Sequence, residues 1–188
     1  KLRLVTQDEE LKTYIAIIIL FTLSIFVIYV WKHYSTCETF ADAELQFRNM
    51  LFLVVTCLTT TGLSSSDYGG MPYASNMLLF ILTFIGGCAG STSGGIKVVR
   101  INILIKNSYL ALKQLLHPNA ILTLRVSKKP IDKKVISNVY AFIVMYIAVF
   151  LVGALLLSID ANDFYTAFSA SALSIGNVGM GLHTSGVI

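Results

Sequence analysis

The sequence predicts an all-α membrane protein: span–pore-loop–span repeats with re-entrant half-helices and one broken transmembrane helix. Three observations carry that prediction. Of 188 residues, 55% are hydrophobic and only 13% charged, which is too apolar for an ordinary soluble domain. Two runs, Leu11–Val30 and Val135–Ile159, are long enough to cross a hydrocarbon core of about 30 Å. Two polar, glycine-containing stretches, Thr59-Thr60-Thr61-Gly62-Leu63 and Gly176-Asn177-Val178-Gly179-Met180-Gly181, end runs that should otherwise stay in lipid. Irregular backbone at that depth is tolerated only where protein buries it or water lines it.

In chain order, Lys1–Lys12 is a polar lead-in. The first apolar run is too long for a cleavable signal peptide and follows Asp8-Glu9-Glu10. Trp31 and Tyr34 close the first span, where aromatic side chains favour the interface. A link with Glu38, Asp42 and Glu44 leads into a helix ending near Leu58. Its acidic residues suit a helix amino end, and it is expected to reach only partway through the bilayer before the threonine–glycine segment. Ser64–Gly70 reads as a return loop. Pro72 can begin the next helix, which runs to Ile85 and is about 21 Å long, too short to span.

The stretch Gly86-Gly87-Cys88-Ala89-Gly90-Ser91-Thr92-Ser93-Gly94-Gly95 follows, and a helical pattern resumes from Ile96 to Leu116 with Lys97, Arg100, Lys106 and Lys113. The whole reads as one membrane helix broken near mid-depth, as in transporters. His117-Pro118-Asn119 ends it. Residues 118–134 form a basic cytoplasmic connection with Arg125, Lys128, Lys129, Lys133 and Lys134. Val135–Ile159 is the next span. Asp160–Asp163 signals a helix start, and Phe164–Ile175 is a second half-helix. Residues 1–117 thus make a complete span–pore-loop–span repeat, and residues 135–188 make a span and pore loop that stop before a closing helix.

The lead-in and the basic connection share one side and hold most of the lysines and arginines. The other side holds Lys32 and Arg48 with Glu38, Asp42, Glu44, Asp67, Asp160 and Asp163. The positive-inside rule puts the basic side in the cytoplasm, and an acidic outer mouth would concentrate cations. The net charge of +4 reflects this topology and not nucleic-acid binding. Cys37, Cys57 and Cys88 have no metal or disulfide spacing. His33, His117 and His183 are scattered, and no nucleophile–base pair suggests an enzyme.

Placing Gly62 on Gly179 gives an offset of 117 (179 − 62), which also puts Phe47 on Phe164, Leu58 on Ile175, Thr60 on Asn177 and Leu63 on Met180. Each copy reads as span, acidic link, half-helix and polar glycine segment. Carbonyls of Thr60, Thr61 and Gly62, and of Asn177, Val178 and Gly179, can supply part of a coordination shell for a dehydrated monovalent cation, as in potassium filters. Glycine permits the required backbone angles, and helix carboxyl ends add negative potential. The competing reading is that these segments only pack helices together.

The Gly86–Gly95 loop can be a gate below the filter or a static kink. A nucleotide phosphate loop is disfavoured, because no strand precedes it and no Gly-Lys-Ser/Thr follows. Lys97 and Arg100, three apart, are expected on one helix face. There they would repel cations, pin the loop closed, or snorkel to the interface.

These residues resemble the Trk/Ktr/HKT superfamily of potassium transporters. The loop Gly86–Lys97 is very similar to the intramembrane loop of the bacterial Trk membrane subunit. Thr59–Leu63 resembles that family's third filter and Gly176–Gly179 its fourth, with Met180 where the family often has proline. The resemblance implies four span–pore–span repeats in one chain in the cytoplasmic (inner) membrane. It also implies a homodimer, a cytoplasmic nucleotide-binding regulatory subunit, potassium as substrate and no covalent cofactor. A sodium-selective or sodium-coupled carrier of the same fold, and a non-conducting membrane scaffold, are the rival readings.

Overall fold

The computed structural model describes residues 8–32, 40–63, 71–117, 124–126, 129–160 and 163–179. The Ser64–Gly70 return loop, His33, Tyr34, Cys37, Glu38, Asp67, Lys128, Met180 and the last residues to Ile188 lie outside them.

Among the described residues six helices carry the architecture: α1 Glu9–Lys32, α2 Phe40–Thr59, α3 Tyr73–Ile85, α4 Val98–Leu116, α5 Lys133–Leu157 and α6 Phe164–Gly176. Helix α1 has Glu9 and Glu10 in its first turn and Lys32 in its last, charges that complement the helix dipole. It is apolar all round yet buries only Thr22 and Ile25, a pattern suited to lipid on the outer face. Helices α1 and α5 are both long and apolar enough to cross a membrane, by length and composition.

Helix α2 is longer than its sequence suggests. It has 20 residues and begins at Phe40, just ahead of Asp42, so the stretch from Asp42 to Arg48 is already helix. That stretch is largely exposed and carries the Glu44–Arg48 pair at 2.7 Å. Only from Met50 to Leu58 does the helix enter the core. Helix α3 starts directly after Pro72, whose carbonyl accepts from the Ser75 and Asn76 amides.

The main core is shared by four helices. Ile25 of α1, Met50, Leu53, Val54, Cys57 and Leu58 of α2, and Leu79 and Leu82 of α3 meet Leu173 and Val178 at the end of α6. An aromatic seam ties α3 to α5 and α6: Phe84 stands edge-on to Phe150 at 5.1 Å, and Phe150 edge-on to Phe168 at 5.4 Å. Such pairs add about 0.5–1.5 kcal/mol each beyond area burial. The Ser171 hydroxyl donates to the Phe150 carbonyl at 2.9 Å, further joining α5 to α6.

The basic connection holds a short antiparallel hairpin, β1 Arg125–Val126 with β2 Lys129–Pro130, which the sequence did not announce. It brings Leu124, Val126 and Ile131 against Ile103 of α4 and Val139 of α5 in a second, smaller core.

Helices α1 and α4 run antiparallel. The Asn102 amide donates to the Thr13 hydroxyl at 3.1 Å, and the Lys106 ammonium donates to the Glu9 carboxylate at 2.6 Å. Beyond Lys106, α4 therefore passes the first turn of α1, and residues 111–117 are all exposed.

Candidate ion-conduction site

Helices α2 and α6 end in the same way. Thr60 turns to φ 57°; its amide bonds the Cys57 carbonyl at 3.3 Å, and the Thr61 amide bonds the Thr56 carbonyl at 3.0 Å. Asn177 turns to φ 55°; its amide bonds the Ser174 carbonyl at 3.3 Å, and the Val178 amide bonds the Leu173 carbonyl at 3.0 Å. Both are Schellman endings, with a left-handed residue after the last turn. Two residues on, Gly62 and Gly179 both sit at φ 75°. Every correspondence falls at the sequence offset of 117. Asparagine tolerates the left-handed region, whereas β-branched threonine resists it. Hydroxyls brace the first segment. Thr59 Oγ1 donates to the Val55 carbonyl at 2.7 Å and lies 2.8 Å from Thr61 Oγ1, while the Leu63 amide donates to Thr56 Oγ1 at 3.0 Å. Leu173 stands where a counterpart of Thr56 would be, so that last brace belongs to the first copy alone.

The two segments touch through their backbones. A Cβ on Gly62 would collide with the Val178 carbonyl and lie 3.9 Å from the Gly179 carbonyl carbon. The same direction from Gly179 meets nothing within 4 Å among the described residues. Val178 packs its side chain into the main core, while Gly179 is exposed and Leu63 is 61% exposed. Gly62, Val178 and Gly179 are thus brought together at the carboxyl ends of two helices, where backbone partial charge is negative.

Helix α3 ends at Ile85 and α4 begins at Val98, with non-helical chain between. Three backbone bonds close its neck: Ile96 amide to Phe84 carbonyl at 2.8 Å, Lys97 amide to Ile85 carbonyl at 2.6 Å, and Val98 amide to Gly87 carbonyl at 3.1 Å. Gly86 sits at φ 71°, with Gly94 so close that a Cβ on Gly86 would strike its carbonyl. On its other face Gly94 lies against the Gly176 carbonyl, and a Cβ on Gly176 would come within 2.8 Å of the Thr83 carbonyl. The base of the loop is therefore seated on the end of α6, just before the second glycine segment.

Inside the loop, the Gly87 amide donates to Ser93 Oγ at 2.8 Å, and Ser91 Oγ and Ser93 Oγ are 2.7 Å apart. Lys97 Nζ donates to the Ser91 carbonyl at 2.6 Å, with Ser91 Oγ at 3.4 Å and Ser93 Oγ at 3.5 Å. Gly86 and Gly87 are buried; Ala89, Gly90, Ser91 and Thr92 are exposed, and Cys88 and Gly95 half-buried.

One expectation about this region is corrected. Lys97 and Arg100 do not share a helix face. Lys97 precedes α4 at φ 73°, and that turn sends its ammonium back into the loop. The Arg100 guanidinium lies 4.0 Å over the Phe142 ring and donates to the Ile96 carbonyl at 3.2 Å, away from the loop. The loop tip reaches the first turn of α1: the Ala89 amide donates to Glu10 Oε1 at 2.5 Å.

Sequence reasoning missed Thr56, Thr83 and Glu10. A hydroxyl in an apolar run just before the threonines was a usable signal for Thr56. The Thr83 contact uses a backbone carbonyl, which sequence does not mark. Glu10 is 79 residues from its partner, with no local cue. Among the described residues, no three His, Cys, Asp or Glu side chains gather as metal ligands.

A model of the TrkH family, described as a cation transport protein, matches residues 11–186. The chain is 37% identical over 176 residues to the Trk system potassium uptake protein TrkH of Vibrio parahaemolyticus, covering 94% of this chain and 35% of that relative. It is 31% identical over 182 residues to TrkH of Escherichia coli K12, covering 96% and 36%. Against the crystal structure of the potassium transporter TrkH from Vibrio parahaemolyticus, the TM-score is 0.83 at 37% identity, over 94% of this chain and 37% of that one. The chain spans a little over a third of the length of these relatives. It belongs to the TrkH family of cation transport proteins.

Proposed function

We propose that this chain forms part of a potassium-uptake pore in the cytoplasmic membrane. Carbonyls of Thr60, Thr61 and Gly62 and of Asn177, Val178 and Gly179 form two sides of a cation filter, flanked by Leu63 and Met180. The observation that carries this reading is the backbone approach of Gly62 to Val178 and Gly179 where two helices end. One residue in each segment turns left-handed and a glycine at positive φ follows, so the two segments leave their helices along the same backbone path. The named relatives are potassium uptake proteins, which favours potassium as the ion.

The contacts also suggest how a larger ring closes. Gly62 receives the carbonyl of the second segment, while the equivalent face of Gly179 is open among the described residues. A further copy fits that face, in keeping with relatives nearly three times as long. We read 1–117 as one complete repeat, 118–134 as a cytoplasmic connection and 135–188 as part of the next. In this reading α3 and α4 are two parts of one broken membrane helix. A homodimer and a nucleotide-binding regulatory subunit complete the assembly by resemblance, and the relatives' designation as a Trk system supports a multi-part complex.

The loop Gly86–Gly95 serves as the gate, held by Lys97. Ions leaving the filter meet its hydroxyls and the Lys97 charge. Opening moves the tip, because the base is fixed by three backbone bonds and by Gly176. No bond is made or broken: the protein exchanges water oxygens for carbonyls and controls passage.

The test is rubidium flux into vesicles holding the full-length protein, with sodium as competitor. Gly62→Ser is expected to abolish potassium preference. Preference unchanged by that substitution would overturn the filter reading, and flux absent from the unmodified protein would favour a scaffold.

A further inference from the structure

The tip of the loop is a turn of four residues clasped from two sides. Within it the Ser91 amide donates to the Cys88 carbonyl at 3.0 Å. At one end Lys97 Nζ takes the Ser91 carbonyl. At the other, the Ala89 amide donates to Glu10 Oε1 at 2.5 Å. The neighbouring acidic side chains have other contacts: Glu9 pairs with Lys106, and Asp8 Oδ1 accepts the Glu10 amide at 3.1 Å. The Glu10 carboxylate accepts directly from the backbone of the tip, and it is half-buried.

We propose that Glu10 is a positioning residue for the loop: through the Ala89 amide it latches the tip to α1, so that the tip moves only when this contact opens. The chemistry favours a carboxylate. An ionised acceptor makes a shorter and stronger bond to an amide than a neutral one does, and one side chain on a long helix can hold a turn whose residues Ala89 to Thr92 are exposed. The proposal rests on the gate reading above for its effect on flux, but not for the latch itself.

The experiment is amide hydrogen exchange on the full-length protein, read in the peptide containing Ala89, with rubidium flux measured in parallel. Glu10→Ala is expected to speed exchange there about tenfold, the factor that follows from losing a charge-assisted hydrogen bond, while peptides from α2 and α5 are unchanged. Glu10→Gln keeps an acceptor of the same size and is expected to fall between. Glu9→Ala removes a neighbouring charge without touching the loop and should leave the Ala89 peptide alone. Faster exchange with altered flux supports both the latch and the gate. Faster exchange with unaltered flux supports the latch and overturns the gate. Exchange unchanged in both Glu10 variants overturns the latch whatever flux does, and the gate reading is then judged separately on Lys97.

Discussion

Gly94 rests against the carbonyl of Gly176 so closely that no side chain fits between them: a Cβ on Gly94 would be 2.6 Å from the Gly176 carbonyl carbon and 3.2 Å from its Cα. Backbone therefore meets backbone where the loop returns towards α4 and where α6 turns into the second glycine segment. Displacing one displaces the other.

Gly94→Ala is the direct probe of that coupling. Overpacking of this kind costs about 1–3 kcal/mol, and the strain falls on the second glycine segment. Rubidium flux is expected to drop about tenfold or more, with a lower unfolding temperature. Gly90→Ala, at an open position with nothing within 4 Å, should change stability by no more than about 0.5 kcal/mol.

The two segment glycines differ within this chain but should not differ in the whole protein. Gly62→Ala meets the Val178 carbonyl at a φ of 75°, while Gly179→Ala has the same φ and open space. Left-handed strain alone costs about 1–2 kcal/mol. If a further repeat fills the open face, both substitutions in the full-length protein will lower potassium selectivity to a similar degree. Selectivity lost only in Gly62→Ala would argue against a closed ring. Sodium-to-potassium flux ratios decide it.

Thr60 is strained, and the strain is removable. A β-branched residue at φ 57° sits where asparagine or glycine rests more easily. Thr60→Asn copies the second segment and is expected to raise stability by about 1 kcal/mol with ion preference intact, because the carbonyls stay where they are. Thr60→Val should bring no gain. Thermal unfolding and flux competition report the two parts.

Lys97→Gln removes the charged clasp on Ser91. Hydrogen bonds to charged groups contribute about 1.5–3 kcal/mol, so basal flux should rise about tenfold if the loop is the gate. Thr92→Ala, at an exposed position in the same loop, should leave flux unchanged. Arg100→Ala is expected to weaken the docking of α4 on Phe142 by about 1 kcal/mol and to leave gating alone.

Local chemistry made the glycine segments legible. Glycines and hydroxyls at the ends of apolar runs announce positive φ and missing ladder partners, and Asp163 before Phe164 marked the start of α6. What was hidden depends on distant chain. A spacing of three suggested that Lys97 and Arg100 lie together, but the bond from the Lys97 amide to the Ile85 carbonyl delays the helix to Val98. Helix α2 begins at Phe40, slightly ahead of the acidic residues Asp42 and Glu44 that suggested its amino end, because Phe40 and Ala41 carry no capping signal. The hairpin at Arg125–Pro130 has two-residue strands, too short for any alternation to show. Arg100 over Phe142 and Glu10 at Ala89 are contacts between elements, which no local pattern encodes.

The matched endings of α2 and α6 share torsions and bonding while their side chains have diverged, Thr56 against Leu173 and Thr60 against Asn177. What the two endings hold in common is the direction of the main chain and not its lettering. If they line one hole as proposed, each wall is free to carry a different outer rim without turning the backbone behind it.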